Sequence, residues 1–286
     1  MKFSFPHWII EKVGDWLLKN KPPRRAYLCN FEQVQQEIKT GDVLLIEGRS
    51  RLSNIIQVIT KSPWSHACIY IGKMSELNPE LQSHLKNYYQ GDNDVPLVIE
   101  TELGKGTIVS SLFKYQEDHI RILRPNGLTK PDKVKLISYV IHRLGVKYDT
   151  EHIFDLARFL FPWDFFPHEW RSSLFQHNAL KPTEDTCSSM IADAFDSIGF
   201  PVLPLVSMDK EKHIELIQRN PRLFTPSDFD FSPYFDVIKY PIVKMGRGVN
   251  IHTLHWRKDV ISDDLESLRQ VEALKEEKDD SPSPKK

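Results

Sequence analysis

The sequence is poor in cysteine and lacks the cysteine patterns typical of small domains that disulfide bonds stabilise. Its 286 residues include three cysteines, Cys29, Cys68 and Cys187, which are widely spaced and form no Cys-x-x-Cys pair. An odd number of isolated thiols argues against a disulfide framework and against a cysteine-based zinc site. The pattern instead fits a reducing compartment, or a chain that uses one thiol chemically.

The sequence also lacks a strong net charge and a long apolar run. The formal net charge is −1, so no global field draws the chain to nucleic acid or anionic lipid. No stretch approaches the roughly 20 apolar residues of a membrane span. Charged residues such as Glu11 and Asp15 interrupt the first twenty residues, so they do not read as a secretory signal. We expect a cytoplasmic protein without a nucleic-acid partner.

The apolar pattern predicts a chain of the α+β class. Strands are predicted for GDVLLIEG, for His66 to Gly72, and for PLVIETEL, GTIVSSL and HIRILRP. Helices are predicted for FEQVQQEIKT, for 52–60, for about 14 residues from Thr129, and for the stretch from Pro204 to Gln218. TPSDF is predicted to be a turn, and 73–95 a polar, irregular insertion. The clearest helix start is TEDTCSSMIADAF, which places Cys187 in the first turn.

The two ends of the chain and one aromatic segment stand apart from this pattern. Residues 7–19 predict an amphipathic helix, which either packs on its own domain or contacts a membrane peripherally through residues 1–20. Residues 151–180 are rich in aromatics and are expected to cover core or a ligand pocket. We therefore divide the chain into a helical extension (1–39), a catalytic domain (40–245), and a C-terminal helix with a charged disordered tail (246–286).

Cys187 is the strongest candidate for chemistry. The first turn of a helix presents unpaired N–H groups and the positive end of the macrodipole, both of which stabilise an anion. That setting lowers a thiol pKa and favours the nucleophilic thiolate. The competing interpretation is a buried structural cysteine, which is a frequent fate of free thiols.

His66 and Glu100 supply the other groups that a thiol nucleophile needs. His66 begins a strand directly after the rigid Ser-Pro-Trp-Ser turn, and Glu100 ends the apolar run of PLVIE. An imidazole can act as the base, and a carboxylate can fix its tautomer and stabilise the imidazolium. Taken singly, His66 could be an ordinary strand-end histidine and Glu100 an edge residue that points to water.

Taken together, these motifs resemble the permuted papain-like branch of the NlpC/P60 superfamily, and within it the YiiX/YaeF/YebB-like cysteine hydrolases. GDVLLIEG, SPWSHACIYIG, VIETELGKGTIVSSL and DTCSSMIADAF carry the resemblance, which covers roughly residues 40–230 and also includes VKYD and TPSDF. Histidine, glutamate and cysteine occur in that order, which is the permuted one. The insertion 73–95 and the segment 151–180 are long for the pattern.

The resemblance implies a small antiparallel sheet or barrel that carries His66 and Glu100, packed against a helix headed by Cys187, with extra helices at both ends of the chain. It also implies hydrolysis of an amide bond, or a related acyl transfer, in a peptide, amide or acyl substrate, with neither cofactor nor metal. We expect Cys187 as nucleophile, His66 as acid and base, Glu100 as the orienting acid, and Tyr148 as a further donor to the oxyanion, although Tyr148 could equally be a packed aromatic.

Three alternatives remain open at this point. The same fold could serve a lipid-directed acyltransferase or thioesterase, or a binding module that has lost its activity. A metal site built from His66, Glu100 and a further histidine is the third, but the sequence has no HExxH motif.

Overall fold

The computed structural model describes residues 30–102, 104–146, 187–208 and 213–239, with isolated positions at 16, 19–21, 252, 261 and 269. Several expectations lie wholly or mostly outside the described residues: the helix predicted for 7–19, the C-terminal helix within 246–286, the aromatic segment 151–180, and Tyr148. The domain boundaries drawn above stay a prediction.

The centre of the described fold is one six-stranded antiparallel sheet. Its strands lie in the order β4-β3-β2-β1-β5-β8, and every neighbouring pair is antiparallel. A separate two-stranded ribbon is formed by β6 and β7. The strands are β1 (Val43–Glu47), β2 (His66–Lys73), β3 (Pro96–Glu102), β4 (Gly106–Ser111), β5 (His119–Pro125), β6 (Leu205–Met208), β7 (Ile214–Ile217) and β8 (Phe235–Ile238).

Six described α-helices surround the sheet: α1 (Phe31–Glu37), α2 (Arg51–Thr60), α3 (Pro79–Leu85), α4 (Lys130–His142), α5 (Cys187–Asp196) and α6 (Pro226–Phe231). Short 3₁₀ turns lie at Met74–Glu76, Leu112–Tyr115 and Pro221–Leu223. Side chains cap several helix starts, since Ser50 accepts a hydrogen bond from Ser53 N–H and Thr129 accepts one from Asp132 N–H.

Side chains alternate between the two faces of the sheet along each strand. Both faces are buried, each by its own set of apolar residues. One face packs against α3, α4 and α5, with Ile69, Ile99 and Phe195 in its core. The other face packs against α1 and the turn Leu112–Tyr115, with Cys68 and Val98 in its core. The sheet thus separates two apolar layers, and the antiparallel α+β architecture predicted from the sequence is confirmed.

The turn that starts β1 is fixed by a buried carboxylate. Asp42 is 1% exposed, and Arg124 donates to both of its oxygens, from Nε at 3.0 Å and from the terminal nitrogen at 2.7 Å. Gly41 precedes it with φ of 93°, in the left-handed region that favours glycine. The Gly-Asp pair therefore ties the start of β1 to the end of β5.

Three local predictions were wrong. The stretch after Pro204 forms the ribbon β6–β7 and not a helix. Residues 73–95 are not irregular throughout, because α3 buries Leu81 and Leu85 in the core. TPSDF is more than a turn, since Thr225 and Asp228 form a capping box at the start of α6. The five strands and the three helices predicted between residues 31 and 145 are confirmed.

Candidate active site

The position of His66 at the start of β2 is set by the loop that precedes it. Ser65 N–H donates to the carbonyl of Ile46 at 3.1 Å, and the Gln57 side-chain amide donates to the carbonyl of Pro63 at 3.0 Å. The indole N–H of Trp64 donates to Asp230 at 3.1 Å, and Trp64 is 1% exposed. Three elements thus hold this loop, so the first residue of the strand is fixed relative to the sheet.

Glu100 faces His66 because the strand register brings them to the same side of the sheet. Ile69 lies opposite Ile99 in the pairing of β2 with β3. His66 shares its face with Cys68, and Glu100 shares its face with Val98; Cys68 and Val98 belong to the same core layer. Glu100 Oε2 lies 2.8 Å from Nε2 of His66, and the Glu100 side chain is fully buried.

Two further residues hold Glu100, and sequence reasoning missed both of them. Lys114 Nζ donates to Glu100 Oε1 at 2.7 Å, and the Tyr115 hydroxyl donates to Oε2. Both lie on the 3₁₀ turn Leu112–Tyr115 that follows β4. A buried carboxylate needs such partners, because an unpaired charge in the interior is costly. The one signal in the sequence was an acidic residue at the end of an apolar strand. This signal does not identify the side chains that donate to the carboxylate.

Cys187 is the first residue of α5, and α5 packs against β2 and β3. The thiol lies close enough to the His66 side chain and to the backbone N–H of Ala67 for both to lower its pKa. The Ser188 hydroxyl lies 3.8 Å from the Cys187 sulfur. Because Nε2 of His66 contacts Glu100, Nδ1 is the ring nitrogen that remains for an interaction with the thiol. His66 thus interacts with both the carboxylate and the sulfur.

The electrostatics of the three groups favour a charged imidazole and a charged sulfur. Burial alone would lower the pKa of His66, but the Cys187 thiolate and the Glu100 carboxylate together raise that pKa to about 10. Burial alone would raise the pKa of Cys187, but His66 and the donor N–H of Ala67 lower it below its ordinary value. The pKa of Glu100 is well below its usual range, because His66 and Lys114 outweigh the effect of burial.

A cavity of about 550 Å³ opens beside these groups and gives a substrate access to them. His66, Glu100 and Cys187 line it, together with the charged residues Glu102, Lys105 and Lys114. The lining also includes apolar residues of α2 and of the segment before α6, namely Leu52, Ile56, Ile59 and Phe224. The volume lies within the range usual for small-molecule pockets.

The structure brings together three of the four residues that the sequence singled out, His66, Glu100 and Cys187, although they lie far apart in the chain. Tyr148 lies outside the described residues. The described residues contain no group of three or more His, Cys, Asp or Glu side chains that could hold a metal ion. Among the described helices, none has the length and apolarity required to cross a bilayer.

Comparison with known proteins gives a family match for part of the chain. A family model described as a permuted papain-like amidase enzyme matches residues 37–159, and its family is the YaeF/YiiX or C92 family, Peptidase_C92. The matched segment contains His66 and Glu100 and ends before Cys187. The resemblance to YiiX-like enzymes is therefore confirmed over residues 37–159, and the matched family is one of papain-like amidases, which supports a cysteine hydrolase in general.

The search of solved structures found a similar protein, described as the metalloprotein yiiX from Escherichia coli O157:H7. The identity is 16% and the TM-score 0.42, over 71% of this chain and 97% of that chain. The search of curated proteins gave no match.

Proposed function

We propose that the chain is a cysteine hydrolase that cleaves an amide bond through Cys187, His66 and Glu100. The observation that carries this proposal is the imidazole of His66, which contacts a buried carboxylate through Nε2 and lines the same cavity as the Cys187 thiol at the start of a helix. This is the arrangement of nucleophile, base and orienting acid that covalent acyl transfer requires.

The proposed reaction has two halves that meet at a thioester. In the first half, the Cys187 thiolate attacks the substrate carbonyl carbon and the C–S bond forms, while the imidazolium of His66 gives its proton to the leaving amine as the C–N bond breaks. In the second half, His66 takes a proton from water, and the resulting hydroxide attacks the thioester carbonyl carbon to form a C–O bond. The C–S bond then breaks, the carboxylic acid leaves, and the pair of Cys187 thiolate and His66 imidazolium is restored.

The developing oxyanion would be held at the start of α5. The backbone N–H of Cys187 lies at a helix N-terminus, where donors and the macrodipole favour negative charge. Tyr148 is proposed as a second donor on the grounds of the sequence resemblance alone. Glu100 stabilises the imidazolium and is itself stabilised by Lys114 and Tyr115.

A specific observation favours a second candidate function, the transfer or hydrolysis of an acyl group from a lipid-like substrate. Leu52, Ile56 and Ile59 follow helical spacing along α2 and face the cavity, where they lie only partly buried. An alkyl chain could occupy this wall while its carbonyl lies at Cys187. Under this alternative, turnover of acyl thioesters would rise steeply with chain length, whereas an amidase selective for small peptides would show no such trend.

Site mapping with thiol-directed acyl probes tests the proposal. Peptidyl and alkyl probes of graded length are incubated with the full chain, and mass spectrometry locates the label. We expect labelling of Cys187 and not of Cys68, which is buried and has a pKa well above its ordinary value. Cys187→Ala should abolish labelling and lower turnover by more than about a thousandfold. Wild-type turnover in the Cys187→Ala variant would overturn the proposal.

A further inference from the structure

Glu100, the carboxylate that contacts His66, also forms an ion pair with Lys114. A triad of cysteine, histidine and glutamate does not require this second cation. Lys114 Nζ lies 2.7 Å from Glu100 Oε1 and also donates to Glu102 Oε1, while Lys105 lies 2.7 Å from the other oxygen of Glu102. Charges of alternating sign therefore run from the Cys187 sulfur to the surface, through His66, Glu100, Lys114, Glu102 and Lys105. Lys105, the last of these groups, is 66% exposed.

The two carboxylate oxygens of Glu100 have different hydrogen-bond partners. Lys114 occupies Oε1, whereas His66 and the Tyr115 hydroxyl meet at Oε2. A carboxylate on a flexible side chain could otherwise rotate and leave the imidazole without its acceptor. The 3₁₀ turn that carries Lys114 and Tyr115 begins with a cap, because Ser111 accepts a hydrogen bond from Phe113 N–H. Lys114 and Tyr115 therefore contact Glu100 from a turn whose start is capped.

We propose that Lys114 is a positioning residue of the active site, which fixes the oxygen that Glu100 presents to His66 and keeps this carboxylate ionised, so that the Cys187 thiolate persists to lower pH. This inference rests on the proposed function. Lys114 would act through Glu100 and would not touch the reacting atoms.

The charges around Glu100 determine the direction of the expected effect. His66 and Cys68 face Glu100 from β2, Lys114 and Tyr115 face it from the 3₁₀ turn, Glu102 lies on its own strand, and Cys187 lies beyond His66. Cys68 and Tyr115 stay neutral, because burial raises the pKa of each well above its ordinary value. Lys114 is then the one cation besides His66 that contacts Glu100 among the described residues.

Removing a cation raises the pKa of neighbouring acids, because their anions lose a favourable interaction. Without Lys114, Glu100 and Glu102 would lie close together with no cation between them, and protons would return to this cluster at higher pH. Once Glu100 takes up a proton, it stabilises the imidazolium of His66 less. The pH at which Cys187 loses its reactivity on acidification should therefore rise toward neutral.

The test is the rate of Cys187 alkylation by iodoacetamide as a function of pH, measured by mass spectrometry on the full chain. We expect Lys114→Met to move the acid midpoint upward by roughly half a unit to one unit, and Lys114→Arg to restore the wild-type midpoint. Lys105→Met is the matched control, because Lys105 contacts Glu102 but not Glu100, and its midpoint should move by less than half as much. Lys114→Gln, a shorter uncharged donor, replaces Lys114→Met if the methionine variant does not fold.

The outcomes separate this inference from the function on which it rests. A wild-type midpoint near that of a free thiol, about 8.5, would remove the ion pair and the proposed function with it. A low wild-type midpoint that stays in place in a folded Lys114→Met or Lys114→Gln variant would overturn the role of Lys114 alone. An equal shift in Lys105→Met would also overturn it, since the effect would then be general electrostatics and not the contact with Glu100.

Discussion

At the scale of single residues, the character of the site follows from burying one carboxylate and satisfying it completely. Glu100 has no exposed surface, yet three donors reach its two oxygens. Such a group is far more stable as an anion than as an acid, and an adjacent imidazole is correspondingly more stable as a cation. The reactivity of the thiol therefore depends, through His66, on the donors that stabilise Glu100.

Replacing His66 is the direct test at this scale. In His66→Asn, Cys187 loses its cationic partner while burial remains, so its pKa should rise to about 8.5 or above. Alkylation of Cys187 at neutral pH should slow by roughly tenfold or more. His142→Asn, on the end of α4, is the matched control and should leave the rate unchanged. Equal rates in wild type and His66→Asn would contradict the ion pair.

At the scale of secondary structure, a helix distant in sequence holds the loop that aims His66. Asp230 on α6 accepts from the Trp64 indole, and both of its oxygens lie 2.7 Å from a terminal nitrogen of Arg121 on β5. The Arg121 guanidinium also stacks over the Trp64 ring, 4.7 Å from its centroid. Trp64 is thus fixed by a hydrogen bond and a cation–π contact two residues before the imidazole.

Asp230→Ala should loosen this attachment. We expect a loss of about 1–3 kcal/mol in the free energy of unfolding, because a buried indole N–H and a guanidinium lose their acceptor. Cys187 alkylation should slow as well, since His66 would be held less firmly. Urea unfolding and alkylation kinetics measure the two effects. Asp236→Ala, which removes an exposed partner of Asn126, should cost less than about 0.5 kcal/mol. A similar loss in both variants would contradict the role of Asp230.

Among the secondary-structure elements, the buried strands could be predicted from the sequence, whereas short or exposed elements could not. Strand-forming runs such as His66 to Gly72 are continuous and apolar, because both faces of the sheet are buried, so their pattern is strong. The ribbon β6–β7 carries exposed apolar side chains, among them Val206 and Ile214, and this short pattern is not distinctive of a strand. Helix α3 was missed because Leu81 and Leu85 are its only buried residues.

At the scale of the whole molecule, the site depends on tertiary structure that no local pattern encodes. His66 and Glu100 could be placed on neighbouring strands from the sequence, and Cys187 at a helix start. The contacts of Lys114 and Tyr115 with Glu100 could not be predicted, because a lysine and a tyrosine after a hairpin are also typical of a solvated turn. Their role arises only when the turn folds back over the sheet.

The ion pair should also shape how the stability of the whole molecule depends on pH. A raised pKa means that the contribution of His66 is fully present below its unfolded value, about 6.5, and is lost as the pH rises through about 10. A lowered pKa means that the contribution of Cys187 is fully present above its unfolded value, about 8.5, and is lost as the pH falls through its folded value. Between about 6.5 and 8.5 the two trends cancel, because the folded and unfolded pairs each bind one proton.

Urea unfolding of wild type and of the double variant His66→Asn/Cys187→Ala, measured from pH 6 to 10, should reveal this profile as a difference. The difference in unfolding free energy should be flat from about pH 6.5 to 8.5. It should then decrease toward pH 10, because the unfolded thiol loses its proton before the folded imidazolium does. A difference that stays constant up to pH 10 would mean that the folded pair holds its proton no more tightly than the unfolded chain does.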